Sequence, residues 1–373
     1  MNIINQGTTT SRTLLWIVIL LVFIGLALLS SASIVESQKY FQESYYFLKH
    51  QAVFGVAIGA VLMIVFSKIP YTLFDRFSLI IFLLGIVLMA LVFVPGVGIT
   101  IGGATRWISV GGIIFQTTEF AKLSYIVYLA SWLSRRSDEV KTISQGLVPF
   151  AVLNLTFGFF LLLQPDIGTL FMVYIIGGVM FFVAGARFKH LIWAFTFGVL
   201  AFTSAILLAP YRLSRLITFL DPSRDPLGIG YQINQALITI GSGGIFGLGF
   251  GQSKQKHTLL PEPMTDSILA ITAEELGFIG IMVLLLLFMV LITKGFSVAL
   301  KHRDRFAQLF VVGVFIWIAG QAIMNAAAIS GLIPLTGIPI PFVSYGSSSL
   351  VSIFMGLGIV ININSHLKQH AKT

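Results

Sequence analysis

Ten stretches of about 20 mostly apolar residues follow one another along this chain, near 14–34, 48–67, 77–97, 118–134, 146–164, 167–185, 190–209, 267–293, 307–330 and 342–363. A backbone carrying such runs satisfies its own polar groups inside a bilayer only as packed helices. Composition agrees, since 57% of the residues are apolar and only 10% charged, too little polar surface to coat a water-soluble globule. The sequence therefore predicts an all-α integral membrane protein with about ten transmembrane helices in one bundle. The run at 118–134 is the weakest, being short and carrying Glu119 and Lys122. Without it the count is nine, and the termini fall on opposite sides.

The basic residues arbitrate. With ten spans, one side holds Arg12, Lys68, Arg76, Arg135, Arg136, Lys141, Arg187, Lys189, Lys294, Lys301, Arg303, Arg305, Lys368 and Lys372, whereas the short loops opposite hold only Lys39, Lys49 and Arg106. The positive-inside rule then places both termini in the cytoplasm. Scattered in this way, the net charge of +9 reads as a topology signal and not as a nucleic-acid surface. Ser31-Ala32-Ser33 resembles a signal-peptidase site, but the apolar core before it is too long for a signal peptide and more spans follow. One polytopic domain is expected: helices one to seven over 14–209, an extracytoplasmic loop over 210–266, helices eight to ten over 267–363, and a cytoplasmic tail over 364–373. The absence of Cys excludes thiol catalysis, disulfides and Cys-ligated metal.

The long loop between helices seven and eight is where chemistry is expected. Leu213, Leu216, Ile217 and Leu220 recur at helical spacing beside Arg212 and Arg215, the pattern of a helix lying in the interface with its arginines near lipid phosphate. Asp221-Pro222 stops it. A second amphipathic stretch, Tyr231 to Ile240, runs into a tract with glycines at 241, 243, 244, 247, 249 and 251. No Gly-Lys-Ser/Thr and no G-x-G-x-x-G is present. The tract reads either as a closely packed turn or as backbone amides cradling a diphosphate.

Glu119, Asp166, Asp266, Glu274 and Glu275 lie inside or at the ends of the runs. Each charge at such depth costs about 2.5–3.5 kcal/mol, so each calls for a partner or a function. Glu119 and Lys122, at i, i+3, can neutralise each other. Asp166 follows Gln164-Pro165 and suits a helix N-cap. Asp266, at the outer start of the eighth run, reads either as a cap or as a general base for a sugar hydroxyl, with low dielectric raising its pKa. On an ideal helix Glu274 and Glu275 lie about 80° and 180° away from Asp266 and tie the helix to a neighbour, Lys122 being one candidate partner. The six His form no metal site; the i, i+4 pair His366 and His370 falls in the tail. The link from Pro334 to Ser349, with Pro339, Pro341, Ser344 and Tyr345, is expected to border the same cavity, because irregular backbone at membrane depth needs protein or water around it.

At these residues the chain resembles the SEDS family of bacterial cell-wall polymerases, which includes FtsW of division and RodA of elongation. The blocks, in family order, are Arg106-Trp107-Ile108 with Gln116, Glu119 and Ala121-Lys122-Leu123; Gln164-Pro165-Asp166-Ile167-Gly168; Asp225-Pro226-Leu227-Gly228 with Gly230-Tyr231-Gln232; Gly241-Ser242-Gly243-Gly244; Leu260-Pro261-Glu262 with Thr265-Asp266; Ala273-Glu274-Glu275-Leu276-Gly277; and Pro341 with Ser344-Tyr345-Gly346. Gly249, Ser253, Gln255 and Lys256 look more like the division type, Thr336-Gly337-Ile338-Pro339 like a form common in the elongation type. The balance favours division. Thr117-Thr118, Ser267 and Ser347 depart from the usual family residues.

The resemblance implies a peptidoglycan glycosyltransferase in the bacterial cytoplasmic membrane, polymerising lipid II at its outer face with inversion and releasing undecaprenyl diphosphate. It implies Asp266 as catalytic base, and substrate contacts from Arg106, Glu119, Lys122, Asp166, Lys256, Glu262, Thr265 and Ser344. Arg106, Lys122 or a divalent cation, Mg²⁺ or Mn²⁺, would stabilise the leaving group. Implied partners are a class B penicillin-binding protein and other divisome or elongasome proteins, not nucleic acid. A flippase that moves lipid II without chemistry, and a noncatalytic scaffold, are the alternatives.

Overall fold

The computed structural model describes residues 2–101, 103–207, 210–221, 224–225, 228–257 and 260–370. The end of the seventh run at 208–209, the stop at Pro222, the block residues Pro226 and Leu227, and Lys372 lie outside the described residues, as do the side chains of Tyr211, Lys368 and His370.

The chain is mostly helical. α1 (Asn2–Ala32) is followed by a short α2 (Ile34–Phe41), and α3 (Tyr46–His50) continues through a π-helical stretch, Gln51–Ala57, into α4 (Ile58–Lys68). α5 (Tyr71–Arg76) and α6 (Ser78–Leu91) lead to β1 (Gly98–Ile101), β2 (Ala104–Val110) and β3 (Ile113–Gln116). Then come α7 (Thr117–Ser134), α8 (Val148–Leu163), α9 (Ile167–Val183) and α10 (Phe188–Leu207). α11 (Pro210–Leu220), α12 (Ile229–Ser242), α13 (Ile268–Lys301), α14 (Arg305–Ile329) and α15 (Ser347–His370) complete it.

Each apolar run read from the sequence overlaps a helix, although the third runs on past α6 and the tenth begins in the link before α15. Among the described residues six segments are long and apolar enough to cross a membrane, namely Ser11–Ala32, Tyr46–Lys68, Ile143–Leu163, Ile268–Lys301, Arg305–Ile329 and Ser347–His366; α6, α9 and Phe188–Ser204 of α10 are apolar but shorter. The weak hydropathy of α7 has a structural cause. It packs against α6, α14, α15 and α9, and its buried positions run all round, from Thr117 to Leu133. A helix sheathed in protein needs no lipid-compatible face. The outer helix α6, by contrast, turns Leu79, Ile80, Leu83, Leu84 and Val87 outward, each more than half exposed. Small residues let helices close in: a Cβ on Gly85 would meet the Ser124 hydroxyl at 2.1 Å, and one on Gly177 the Tyr125 hydroxyl at 2.2 Å.

The structure corrects the all-helical expectation in one place. The link before α7 is a three-stranded antiparallel sheet in the order β1-β2-β3, with Trp107 opposite Ile99 and Gln116. β-Branched and aromatic residues alternate there, and Gly111-Gly112, both at positive φ, make the β2–β3 turn.

The eighth run is also not a straight helix. α13 breaks at Gly277, whose φ of 67° and ψ of −169° only glycine adopts readily. The glycine tract closes the break: Leu248 and Gly249 N–H donate to the Glu274 and Glu275 carbonyls at 2.8 and 3.0 Å, while Phe278 and Ile279 N–H donate to the Gly244 and Ile245 carbonyls at 2.9 and 3.2 Å. The backbone groups freed by the kink are thereby satisfied. The tract is a closely packed turn, and these two of its amides are spent on α13.

Candidate active site

Asp266 sits just before α13, and it is not the cap of that helix: the N-cap position belongs to Ser267, whose hydroxyl donates to the Pro261 carbonyl at 2.9 Å. The carboxyl of Asp266 is thus left for other work. It is half-buried, and burial pushes its pKa up to about 6, with Glu262 adding to the rise and Arg106 and Arg215 opposing it.

Arg106 is carried on β2. The Thr117 hydroxyl donates to the Arg106 carbonyl at 3.3 Å, and the neighbouring strand β3 is tied to α15 by Gln116 N–H, which donates to the Ser348 hydroxyl at 3.0 Å. The guanidinium lies 4.9 Å from the Trp107 ring centroid and pairs with Asp166 at 2.9 Å. Asp166 is the N-cap of α9, accepting from Thr169 N–H at 3.1 Å and the Thr169 hydroxyl at 2.9 Å. Burial raises its pKa, but Arg106 and these bonds outweigh that and hold the carboxyl below the usual range. Asp166 is therefore both the cap and the anchor of a site arginine.

Glu119 and Lys122 pair at 2.7 Å within α7, both almost fully buried, with the ammonium 5.1 Å from the Trp317 ring centroid on α14. Glu262, exposed, accepts from the Thr265 hydroxyl at 2.7 Å. Ser344, buried in the α14–α15 link, donates to the Thr265 carbonyl at 2.6 Å and accepts from Ile340 N–H at 3.1 Å. The expected closeness of that link to the site is observed.

The structure carries Lys256 elsewhere. Its ammonium binds Glu275 at 3.0 Å, the Ser31 hydroxyl at 2.8 Å and the Gly251 carbonyl at 2.7 Å, and it is 5% exposed. Glu274 accepts from the Ser253 hydroxyl and from Lys254 N–H. The expected pairing of Lys122 with Glu274-Glu275 is thus corrected: Lys122 is consumed one turn along its own helix, and Lys256 takes the place. Glu274 and Glu275 do tie α13 to its neighbours, Glu275 through the hydroxyl of Ser31 on α1 at 2.5 Å.

Arg215 was read from the sequence as a lipid-facing residue, yet it acts on Asp266 and donates to the Leu335 carbonyl at 3.4 Å. Its i, i+3 partner Arg212 donates to the Leu162 carbonyl at 3.0 Å. Leu162 in turn lines an apolar cavity of about 310 Å³ between α8, α9 and α10, together with Phe159, Leu170, Tyr174 and Phe202. The spacing of the two arginines on an amphipathic helix was the available signal; which side α11 turns to the protein was not legible.

A many-helix membrane protein with a half-buried carboxyl of raised pKa, acted on by two guanidinium groups, has the parts of an enzyme site. Residues 12–369 match the family described as Cell cycle protein, FTSW_RODA_SPOVE, and the chain belongs to that family. It is 40% identical over 364 residues to stage V sporulation protein E of Bacillus subtilis, covering 97% of this chain and 99% of the relative. It is 37% identical over 362 residues to the probable peptidoglycan glycosyltransferase FtsW of Haemophilus influenzae, covering 96% and 91%. Among solved structures, a chain from "Structural coordination of polymerization and crosslinking by a peptidoglycan synthase complex" aligns with a TM-score of 0.81 at 29% identity, over 95% of this chain and 98% of that one. The rod shape determining protein RodA of Thermus thermophilus aligns with a TM-score of 0.70 at 27% identity, over 94% and 95%.

Proposed function

We propose that this chain is a peptidoglycan glycosyltransferase that polymerises lipid II at the outer face of the bacterial cytoplasmic membrane, in septal wall synthesis. The observation that carries the mechanism is the carboxyl of Asp266, released from capping, half-buried and within electrostatic reach of Arg106 and Arg215. As general base it takes the proton of the acceptor N-acetylglucosamine 4-hydroxyl while that oxygen attacks the anomeric carbon of the lipid-linked muramyl sugar. The bond to the diphosphate breaks, undecaprenyl diphosphate leaves, and the configuration inverts. Arg106 and Arg215 offset the charge that grows on the leaving group, and the apolar cavity beside Arg212 suits a polyprenyl chain.

Among the described residues no three His, Asp or Glu side chains come together to hold a metal ion. A Mg²⁺ or Mn²⁺ shared between one or two carboxylates and the substrate diphosphate needs no such group, and the proposal assigns neutralisation of the leaving group to the arginines, with a divalent cation as an optional addition. All ten long helices cross the membrane in this proposal, with both termini cytoplasmic and residues 210–266 outside. A class B penicillin-binding protein is the proposed partner, in keeping with the structural likeness to a chain of a peptidoglycan synthase complex. The mutual neutralisation of Glu119 and Lys122 at 2.7 Å supports chemistry over a flippase, which needs polar groups open to a passing headgroup.

The test is Asp266→Asn, which matches the size of the side chain but accepts no proton. Lipid II turnover by the purified full-length variant with its partner should fall by about 10²-fold or more. Near wild-type turnover by well-folded Asp266→Asn protein would sink the assignment.

A further inference from the structure

Three consecutive carbonyls before α13 are held from outside their own segment. Met264 accepts from Tyr345 N–H at 2.9 Å, Thr265 from the Ser344 hydroxyl at 2.6 Å, and Asp266 from the side-chain amide of Asn325 at 3.0 Å. The first two donors come from the α14–α15 link. The third comes from α14, and the same amide nitrogen also donates to the Ile338 carbonyl at 2.9 Å. Asn325 is 2% exposed, so both bonds form away from bulk water, where a lost donor leaves a carbonyl unpaired at the full desolvation cost.

Asn325 therefore joins a central helix, the residue carrying the carboxyl, and the link that passes close to it. The link runs close to that carboxyl, since a Cβ built on Gly337 would lie 3.7 Å from the Asp266 Oδ2. Asp266 has no cap bond to fix it, so its backbone carbonyl is the handle by which its depth is set. Depth decides how far the carboxyl is withdrawn from water and how it stands to Glu262, Arg106 and Arg215, the charged groups that act on it. A displacement of about 1 Å at such a group costs up to about 10²-fold in rate.

We propose that Asn325 is a positioning residue for glycosyl transfer, its amide fixing Asp266 against the α14–α15 link so that the carboxyl meets the acceptor hydroxyl at the right depth. This inference rests on the reading of Asp266 as the base. The amide of Asn325 does not touch substrate; it acts through Asp266.

The experiment compares full-length wild type, Asn325→Leu and Asn325→Gln in lipid II turnover across pH 5 to 8. Leu keeps the volume and removes both donors, and Gln returns an amide on a longer stem. Asn325→Leu should lower the maximal rate about tenfold or more with KM within about twofold. Its acid limb should move down by about one pH unit, because a loosened carboxyl regains water. Asn325→Gln should recover part of both. If Asn325→Leu fails to fold, Asn325→Ser, with one shorter donor, carries the same comparison. An unchanged rate overturns the inference. So does a loss equal at every pH with the limb in place, since that is what packing damage alone produces. Asp266→Asn run alongside separates the two claims: if it turns over normally the base reading itself fails, and if it is inactive while Asn325→Leu is normal only the positioning role fails.

Discussion

At Asp266, burial and Glu262 act against ionisation while Arg106 and Arg215 act for it, and the balance lies near pH 6. Two consequences follow with definite signs. A general base works deprotonated, so kcat/KM for lipid II, which reports the free enzyme, should fall as pH drops and reach half its plateau near pH 6. Stability runs the other way. A carboxyl whose folded pKa is raised binds its proton more tightly folded than unfolded, so stability drops as pH rises from the ordinary carboxylate range through about 6 and is level above it. Asp266→Asn, neutral at every pH, should therefore unfold at an equal or higher temperature than wild type at pH 7.5 while losing turnover. Asp166 behaves oppositely, because Arg106 and the Thr169 bonds keep it ionised. Two carboxyls close to one arginine are thus set to different tasks by what surrounds them.

At the scale of elements, helices and caps were the legible part. The apolar runs, the Asp166 cap and the Glu119–Lys122 pair are local facts, fixed by spacing along one segment. The β2–β3 turn, the Gly277 break and the Lys256–Glu275 pair were not read, because each is decided by what two distant segments do to one another. Sequence spacing cannot say that residues 244–249 lie against 274–279. Only the dipeptide Gly111-Gly112 among β-branched residues offered a local clue to the sheet. The break yields a sharp prediction. Gly277→Ala places a Cβ 2.3 Å from the Gly247 nitrogen, in a backbone conformation that costs a non-glycine residue about 1–3 kcal/mol. Its unfolding temperature in detergent should drop well below that of Gly241→Ala, whose Cβ meets nothing within 4 Å and which serves as the control.

At the scale of the whole molecule, the charge count predicts an orientation that labelling can check. This Cys-free chain accepts single cysteines cleanly. Asp138→Cys should be protected from a membrane-impermeant thiol reagent in intact cells, and Lys254→Cys should react; the reverse pattern would turn the bundle over and put Asp266 on the wrong face for an exported substrate. The candidate site is assembled from residues spread over more than 200 positions: Arg106 from the sheet, Asp166 capping α9, Arg215 from α11, Asp266 before α13 and Asn325 from α14.

Assembly from such distant parts has a consequence for the order in which the chain is made. In the proposed topology α7 reaches the bilayer before its neighbours α14 and α15 have been synthesised. Arg305, the first residue of α14, follows Glu119 by 186 positions, about 10 to 40 seconds of translation. Throughout that interval α7 has no Trp317 to cover its ammonium and no protein sheath on that side. Because Glu119 and Lys122 stand one turn apart on the same helix, they cancel each other's charge as soon as that turn forms. The helix that ends up at the centre of the bundle carries its own neutraliser, and so crosses the lipid stage of its biosynthesis as a nearly uncharged segment.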